Sequence, residues 1–150
     1  MRISTKGRHA VMAMTDIARY GADKAVPLAE VARRQGISLS YLEQLIAKLK
    51  SRGLVHSVRG PGGGYRLRIP ADRITVFEIV NAVDDPLPRI HIADPLTATG
   101  RQLTDLLWQA IGDEIKAYLK TITLDDVNNC TLCDSEANSH EEARKSAETA

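Results

Sequence analysis

Four glycines within residues 60–64 constrain the fold of this chain more than any other feature. They lie between two short runs of β-prone residues, LVHSV at 54–58 and YRLRI at 65–69. Two such runs around a glycine-rich connection predict a β-hairpin. A phosphate-binding P-loop is excluded, because that motif ends in Lys-Ser or Lys-Thr and lies between a strand and a helix. The glycines exceed what a hairpin needs, which favours a thin turn that a partner can approach closely.

Three helical patterns precede the hairpin. The first begins at residues 4–5, and the second covers residues 28–34. After Gly36 a third helix begins at a serine cap, either Ser38 or Ser40. Its apolar residues form a single stripe: Leu42, Leu45, Ile46 and Leu49. Because a helix, a glycine-containing turn and a second helix form a helix-turn-helix, we predict a mainly α fold in which the hairpin is the wing of a winged helix-turn-helix.

The face of the third helix opposite this stripe is polar and free to enter the major groove of DNA. Gln44 can pair with adenine, Glu43 can accept from the amino group of cytosine, and Lys48 suits a phosphate. On the wing, Arg59 is placed to reach a narrow minor groove, where the negative potential is strongest. The predicted DNA contacts are Ser38, Ser40, Tyr41, Glu43, Gln44, Lys48, Arg59 and Gly60. The alternative for the helix is an ordinary solvated face, since such residues are common on surfaces.

The charge of the chain divides unevenly between its halves. Residues 1–70 hold 13 Lys and Arg against 4 Asp and Glu, and residues 71–150 hold 7 against 15. The halves therefore carry net charges of +9 and −8, in agreement with the +1 of the whole chain. A basic half that contains the predicted recognition helix favours double-stranded DNA as the partner. With 4% aromatic residues, the chain offers few rings for stacking on single-stranded bases.

A short helix over residues 76–83 follows the hairpin, and residues 1–83 form the predicted DNA-binding domain. Residues 84–102 are predicted to be a loop. Their helix-breaking residues are Pro86, Pro88, Pro95 and Gly100.

The longest helical pattern covers residues 103–119, and residues 103–125 take in this helix and the segment after it. The apolar side chains along the helix include Leu103, Leu107, Trp108, Ile111 and Ile115. Residues 126–150 hold a Cys-x-x-Cys pair, and the polar stretch after it is predicted to be disordered.

Two motifs, ISLSYLEQL at 37–45 and SVRGPGGGY at 57–65, make the chain resemble the Rrf2 family of bacterial winged-helix regulators, and within it the IscR branch. Similar segments extend the resemblance over residues 1–125: MRISTKGRHAV, VFEIVNAVD and LTDLLW. The resemblance implies a homodimer in which residues 103–125 are the dimerisation helix and the segment after it, with the five apolar residues of that helix named above in the interface. It also implies that Ser40, Glu43 and Gln44 read DNA and that Arg59 lies on the wing. A symmetric dimer requires a pseudo-palindromic DNA site. The implied function is control of iron–sulfur assembly or iron-related genes in response to cluster or redox status.

The cofactor is where the chain departs from this resemblance. IscR-type sensors hold a [2Fe–2S] cluster with three cysteines in the loop before the long helix and a histidine early in that helix. Here residues 84–102 contain no cysteine, and Asp105 occupies the histidine position. The candidate ligands for a cluster of non-standard ligation are Cys130, Cys133, His91 and Asp105.

Several alternatives to a cluster stay open at this point. Cys130 and Cys133 also suit a thiol–disulfide switch, or they have no role. A family member without a cluster would sense a metabolite or a partner protein instead.

Two other classes of function find no support in the sequence. No catalytic motif accompanies the acidic pairs of the chain, so we predict that it is not an enzyme. No apolar run is long enough for a signal peptide or a membrane span, which predicts a cytoplasmic protein without a membrane partner.

Overall fold

A computed structural model describes residues 4–84 and 101–129, and the predicted mainly α fold with a two-stranded wing is confirmed. The elements in chain order are α1 (Thr5–Tyr20), α2 (Leu28–Gln35), α3 (Leu39–Ser51), β1 (Val55–Val58), β2 (Gly64–Leu67), α4 (Val76–Val83), α5 (Arg101–Thr121) and α6 (Leu124–Asn128). A 3-10 turn, Ala71–Arg73, lies between β2 and α4. Within the two described ranges, no helix is long and apolar enough to cross a membrane.

Caps and a turn residue set the start of the recognition helix. Ser38, rather than Ser40, caps α3, because its hydroxyl accepts a hydrogen bond from the backbone N–H of Tyr41 at 3.4 Å. Ser40 lies inside the helix and is exposed. At the turn before it, Gly36 adopts a left-handed φ of 65°. This left-handed residue ends α2 and lets the chain turn into α3.

The core joins α1, α2, α3, the wing, α4 and α6. Its fully buried side chains include Met14, Ile17, Val31, Leu42, Ile46, Leu49, Val55, Ile79 and Leu124. The stripe predicted on α3 is buried as expected: Leu42, Leu45, Ile46 and Leu49. Because this one stripe anchors α3 in the core, its opposite face stays open.

The wing is tied to a third segment of the chain. β1 and β2 pair in antiparallel register from Val55↔Leu67 to Val58↔Gly64. Val26 and Tyr65 exchange two backbone hydrogen bonds, each of 2.9 Å. A Cβ on Gly64 would lie 2.4 Å from the carbonyl carbon of Val26, so this close approach requires glycine. Part of the glycine excess in the hairpin therefore has a structural reason.

A buried ion pair fixes α2 against α1. Asp16 is 3% exposed, and the Arg34 guanidinium donates to its carboxylate from Nη2 at 2.6 Å and from Nε at 2.9 Å. The amide of Gln35 donates to the same carboxylate at 2.9 Å. Burial alone would raise the pKa of Asp16, but the hydrogen bonds from Arg34 and Gln35 outweigh it and hold that pKa below its ordinary value. The pair holds the end of α2 next to the helix-turn-helix turn.

The region after α4 differs from the prediction in its boundaries. α5 extends two residues beyond the predicted 103–119 at each end, so Arg101 and Gln102 are helical and not part of a loop. Residues 85–100 lie outside the described residues. Gly100 is the last of the predicted helix-breaking residues, and neither Arg101 nor Gln102 after it is a proline or a glycine.

The short helix α6 includes residue 126, the first residue of the predicted segment 126–150. Thr123 and Asp126 form a capping box at the start of this helix, and Leu124 is fully buried in the core. Leu124 N–H donates to the carbonyl of Ile74 at 2.7 Å, which brings the chain after α5 back onto the DNA-binding domain. Such a return depends on contacts far apart in sequence, so the local pattern did not predict it.

Candidate nucleic-acid interface

The side of α3 opposite its buried stripe is made of short polar and small side chains. At about 100° per residue, four exposed residues project opposite the buried stripe: Ser40, Gln44, Ala47 and Ser51. Glu43 is exposed on one border of this surface. We call these five residues the recognition face. Because none of them is bulky and apolar, the helix backbone can come close to the edges of base pairs.

Two of the predicted DNA contacts, Tyr41 and Lys48, lie on the opposite border of α3. Tyr41 is half-buried against the core, and its ring meets the His9 ring edge-on at 5.6 Å. Lys48 is also half-buried, and its Nζ donates to the carbonyl of Val83 at 3.1 Å. The structure brings Ser40, Glu43 and Gln44 onto one surface but turns Tyr41 and Lys48 toward α1 and α4.

Ser38 lies at the start of α3 and is exposed. Its oxygen accepts the capping hydrogen bond, so its O–H group is still able to donate. This placement suits the contact to DNA predicted for Ser38, with a phosphate oxygen as the acceptor.

The wing tip presents Arg59 and Gly60 to solvent. The backbone N–H of Gly63 donates to the carbonyl of Gly60 at 2.9 Å, which closes the turn. Gly60 and Gly62 have φ values of 101° and 73°, where a larger residue would be strained. Within the described residues, no side chain forms an ion pair with Arg59. Its guanidinium is therefore available to a partner.

A contact that the sequence did not suggest joins the recognition helix to the wing. Lys50, in the last turn of α3, donates from Nζ to the hydroxyl of Ser57 on β1 at 3.0 Å. Arg66 plays a comparable structural part, since its guanidinium donates to the carbonyls of Gly21 and Ala22 at the end of α1. No local signal marks these links, because each one depends on how the hairpin folds back.

The long helix α5 leaves large apolar side chains uncovered. Leu107, Trp108, Ile111 and Tyr118 are 56%, 62%, 38% and 59% exposed. At about 100° per residue they fall within roughly one third of the helix circumference. We call these four residues the apolar face of α5. Contiguous apolar surface of this kind is typical of interaction sites.

Two further predicted interface residues are placed differently. Ile115 is half-buried against a small cluster formed by Val76, Val80, Leu119 and Ile122. The side chain of Leu103 lies outside the described residues.

The predicted metal ligands are not assembled in the described part of the chain. Asp105 lies early in α5 and is half-buried, whereas Cys130, Cys133 and His91 lie outside the described residues. In residues 4–84 and 101–129, no three His, Cys, Asp or Glu side chains come close enough together to hold a metal ion. Since residues 84–102 also lack cysteine, the three-cysteine and histidine ligation expected from the family does not fit this chain.

The helix-turn-helix, its exposed recognition face and the arginine-tipped wing define a winged helix-turn-helix protein of the DNA-binding class. A family model described as Rrf2, iron-dependent transcriptional regulator, matches residues 3–129. The chain therefore belongs to the Rrf2 family of transcription regulators.

Relatives of known name agree with this assignment. The HTH-type transcriptional regulator IscR of Pectobacterium carotovorum is 47% identical over 137 residues, 89% of this chain and 84% of the relative. IscR of Cronobacter sakazakii is 44% identical over 148 residues, which are 97% of this chain and 91% of the relative. These proteins are regulators and not enzymes, as predicted for this chain.

Solved structures give the same result. T. potens IscR has a TM-score of 0.72 and 35% identity, and the similarity covers 87% of this chain and 88% of that one. CymR, the global cysteine regulator of B. subtilis, has a TM-score of 0.72 and 32% identity, and the similarity covers 86% of this chain and 97% of that one.

Proposed function

We propose that this chain binds pseudo-palindromic double-stranded DNA as a homodimer in the cytoplasm and regulates iron–sulfur assembly or iron-related genes. The observation that carries the proposal is the recognition face, an exposed polar surface on a helix whose opposite side is fully anchored in the core. Buried stripe and open face together are what a recognition helix in the major groove requires. The names of the IscR relatives support the choice of target genes.

The proposed division of roles follows the placement of each side chain. Gln44 and Glu43 read base edges, with Ser40 as a further donor and acceptor beside them. Ser38 contacts a phosphate at the start of α3, and Arg59 with Gly60 enters the minor groove from the wing.

The proposed dimer is formed by α5. Two copies of the apolar face of α5 match each other, because an isologous interface places the same patch on both subunits. The helix has 21 residues, which gives about 30 Å of length for the two chains to share. A symmetric pair of recognition faces then accounts for a palindromic site.

Selection from a pool of random duplexes tests the DNA-binding proposal. The full chain is incubated with the pool, bound DNA is recovered and amplified, and the enriched sequences are read. We expect two inverted half-sites with centres one helical turn or a multiple of it apart, at about 10–10.5 base pairs per turn. Enrichment of a single half-site, or of no sequence, would contradict the proposal of a symmetric DNA-reading dimer.

We further propose that Cys130 and Cys133 carry the iron or redox response, because they are the only thiols of the chain. A shared metal site and a reversible disulfide are both within the chemistry of this pair. His91 and Asp105 are the additional ligands proposed for a metal site. A sensor of a metabolite or of a partner protein is the competing candidate, and the missing loop cysteines favour it.

An anaerobic preparation separates these candidates. Iron, acid-labile sulfide and visible absorbance are measured on the wild-type chain and on the Cys130→Ser/Cys133→Ser variant, with Ser135→Ala as the control. Matched iron and sulfide that disappear only in the cysteine variant would support ligation by these thiols. A colourless wild type whose DNA binding changes on oxidation, but not in the cysteine variant, would support the disulfide. If DNA binding changes neither with metal content nor with oxidation, the competing candidate, a sensor of a metabolite or of a partner protein, would be supported.

A further inference from the structure

Lys48 lies in an environment that is unusual for a lysine that contacts phosphate. It lies on the recognition helix, yet its side chain is half-buried on the border that faces α4. Its Nζ donates to the carbonyl of Val83 at 3.1 Å, across 35 residues of sequence. Val83 is the last residue of α4 and is fully buried.

The chemistry of a helix end explains why an ammonium group lies here. The last carbonyls of a helix have no partner within the helix and carry the negative end of its dipole. A lysine from a neighbouring helix satisfies such a carbonyl and its charge interacts favourably with the dipole. The contact therefore joins α3 to a fixed point on α4.

The same end of α4 also holds the start of α1. Asp84, the C-cap of α4, accepts a hydrogen bond on its carboxylate from the hydroxyl of Ser4. That hydroxyl also caps α1 by accepting from the backbone N–H of Gly7 at 3.0 Å. We call Ser4, Lys48, Val83 and Asp84 the α4 junction. Through it, one helix end fixes both the N-terminus of α1 and the recognition helix.

We propose that Lys48 is a positioning residue that couples the end of α4 to the recognition face, and that it does not bind DNA phosphate. It lies one helical turn after Gln44, so its tether sets the rotation and tilt at which Gln44 and Ser40 meet the base edges. A displacement of the α4 end would move the recognition face through this contact. The inference rests on the proposed DNA-binding function and assigns α4 as the element that controls it.

The experiment compares Lys48→Met, Lys48→Arg and the wild type on the DNA sequence selected by the wild-type chain and on an unrelated duplex. Methionine keeps the apolar stem but cannot donate, whereas arginine retains a donor. Lys24→Met is the matched control, because Lys24 is exposed in the turn between α1 and α2. Affinities are measured at several salt concentrations, at a temperature where thermal unfolding shows every variant folded.

We expect Lys48→Met to lose about tenfold in affinity for the selected sequence, with little change on the unrelated duplex. The slope of log affinity against log salt should stay that of the wild type, and Lys48→Arg should recover most of the loss. Such a loss of discrimination at constant salt slope is the signature of a misplaced recognition face.

Two results would overturn the proposal. An equal loss on both duplexes, with the salt slope reduced by about 0.9, would show that Lys48 neutralises a phosphate. Unchanged affinity in Lys48→Met would show that the junction does not position α3. If the wild type itself fails to distinguish the two duplexes, the proposed function fails, and this result is separate from either outcome for Lys48.

Discussion

Two helices of this chain, α3 and α5, each leave one face uncovered, and the chemistry of the two faces differs. Opposite the buried stripe of α3 the exposed residues are short and polar or small, and Leu39, at the start of the helix, is exposed but lies outside this face. On α5 the exposed residues include a tryptophan, a tyrosine and branched aliphatic side chains. A polar face keeps its hydration until it meets a polar, charged surface such as a DNA groove, whereas an apolar face gains by removal from water. The comparison supports the proposed contact of α3 with DNA and the proposed contact of α5 with a second copy of the chain.

The largest effect is expected from a charge placed on the apolar face of α5. Ile111→Glu would bury two carboxylates in the proposed dimer, so we expect a monomer that has lost about a thousandfold in affinity for the palindromic site. Sedimentation velocity and DNA titration measure the two effects. Gln109→Glu is the control, because Gln109 is exposed on the other side of α5. If the Ile111→Glu variant stays dimeric, α5 does not form the dimer interface.

The next effect concerns the scaffold that presents the polar face. Asp16→Asn removes the buried carboxylate that pairs with Arg34 and leaves that guanidinium with Glu30, which is half exposed, as its charged partner. The free energy of unfolding should therefore fall by about 3 kcal/mol at pH 7. Urea unfolding followed by circular dichroism measures the change. Asp113→Asn is the control: Lys116 lowers the pKa of Asp113 as well, but the pair is solvent-exposed and should matter little.

The same ion pair gives a pH dependence with a definite sign. The pKa of Asp16 is lower in the folded chain than its ordinary value. Its contribution to stability is therefore complete above the unfolded pKa of about 3.9 and is lost as the pH falls through the lower, folded value. The stabilities of the wild type and of Asp16→Asn should therefore converge as the pH is lowered below about 4. A difference that stays constant from neutral to acidic pH would contradict the assignment.

A smaller effect is expected on the recognition face itself. Gln44→Ala should cost about 2 kcal/mol on the selected sequence and relax the preference for one base pair in each half-site. Repeating the DNA selection with the variant locates that position. Gln109→Ala, the same substitution on α5, should leave the selected sequence as it was. A Gln44→Ala variant that selects the wild-type sequence with equal affinity would show that this face does not read bases.

The smallest effect is expected at the wing. Arg59→Ala should weaken binding by about 1 kcal/mol and reduce any preference for narrow minor grooves flanking the half-sites. Titration against sequences with and without A-tracts beside the half-sites measures this. An equal loss of affinity for sequences with and without A-tracts would indicate that Arg59 contacts a phosphate and not the minor groove.

Patterns within a few residues predicted much of the fold and part of the site. The buried stripe of α3, the serine caps and the glycine hairpin all follow from local spacing, and each is present in the structure. From the stripe alone, the exposure of Ser40, Glu43 and Gln44 followed as well, since residues opposite a buried stripe face outward. The prediction also placed Tyr41 and Lys48 on this polar face, whereas in the structure both lie on its border and are half-buried.

Those borders depend on neighbours that are distant in sequence. Lys48 turns inward because the end of α4, 35 residues later, offers a buried carbonyl. Gly64 is required by the backbone of Val26, nearly forty residues earlier. The short helix α6 forms where Leu124 reaches the core and the chain pairs with Ile74. No periodicity encodes these approaches.

The sequence by itself determined which segments are helical, where the hairpin turns and which face of α3 is polar, because helix and hairpin signals act over one or two turns. The tertiary structure decided which polar residues of α3 are exposed, which lysine of that helix contacts the end of α4 and which apolar face the described residues leave uncovered. Those outcomes depend on desolvation and hydrogen bonding between elements, and both are set only when distant parts of the chain come together.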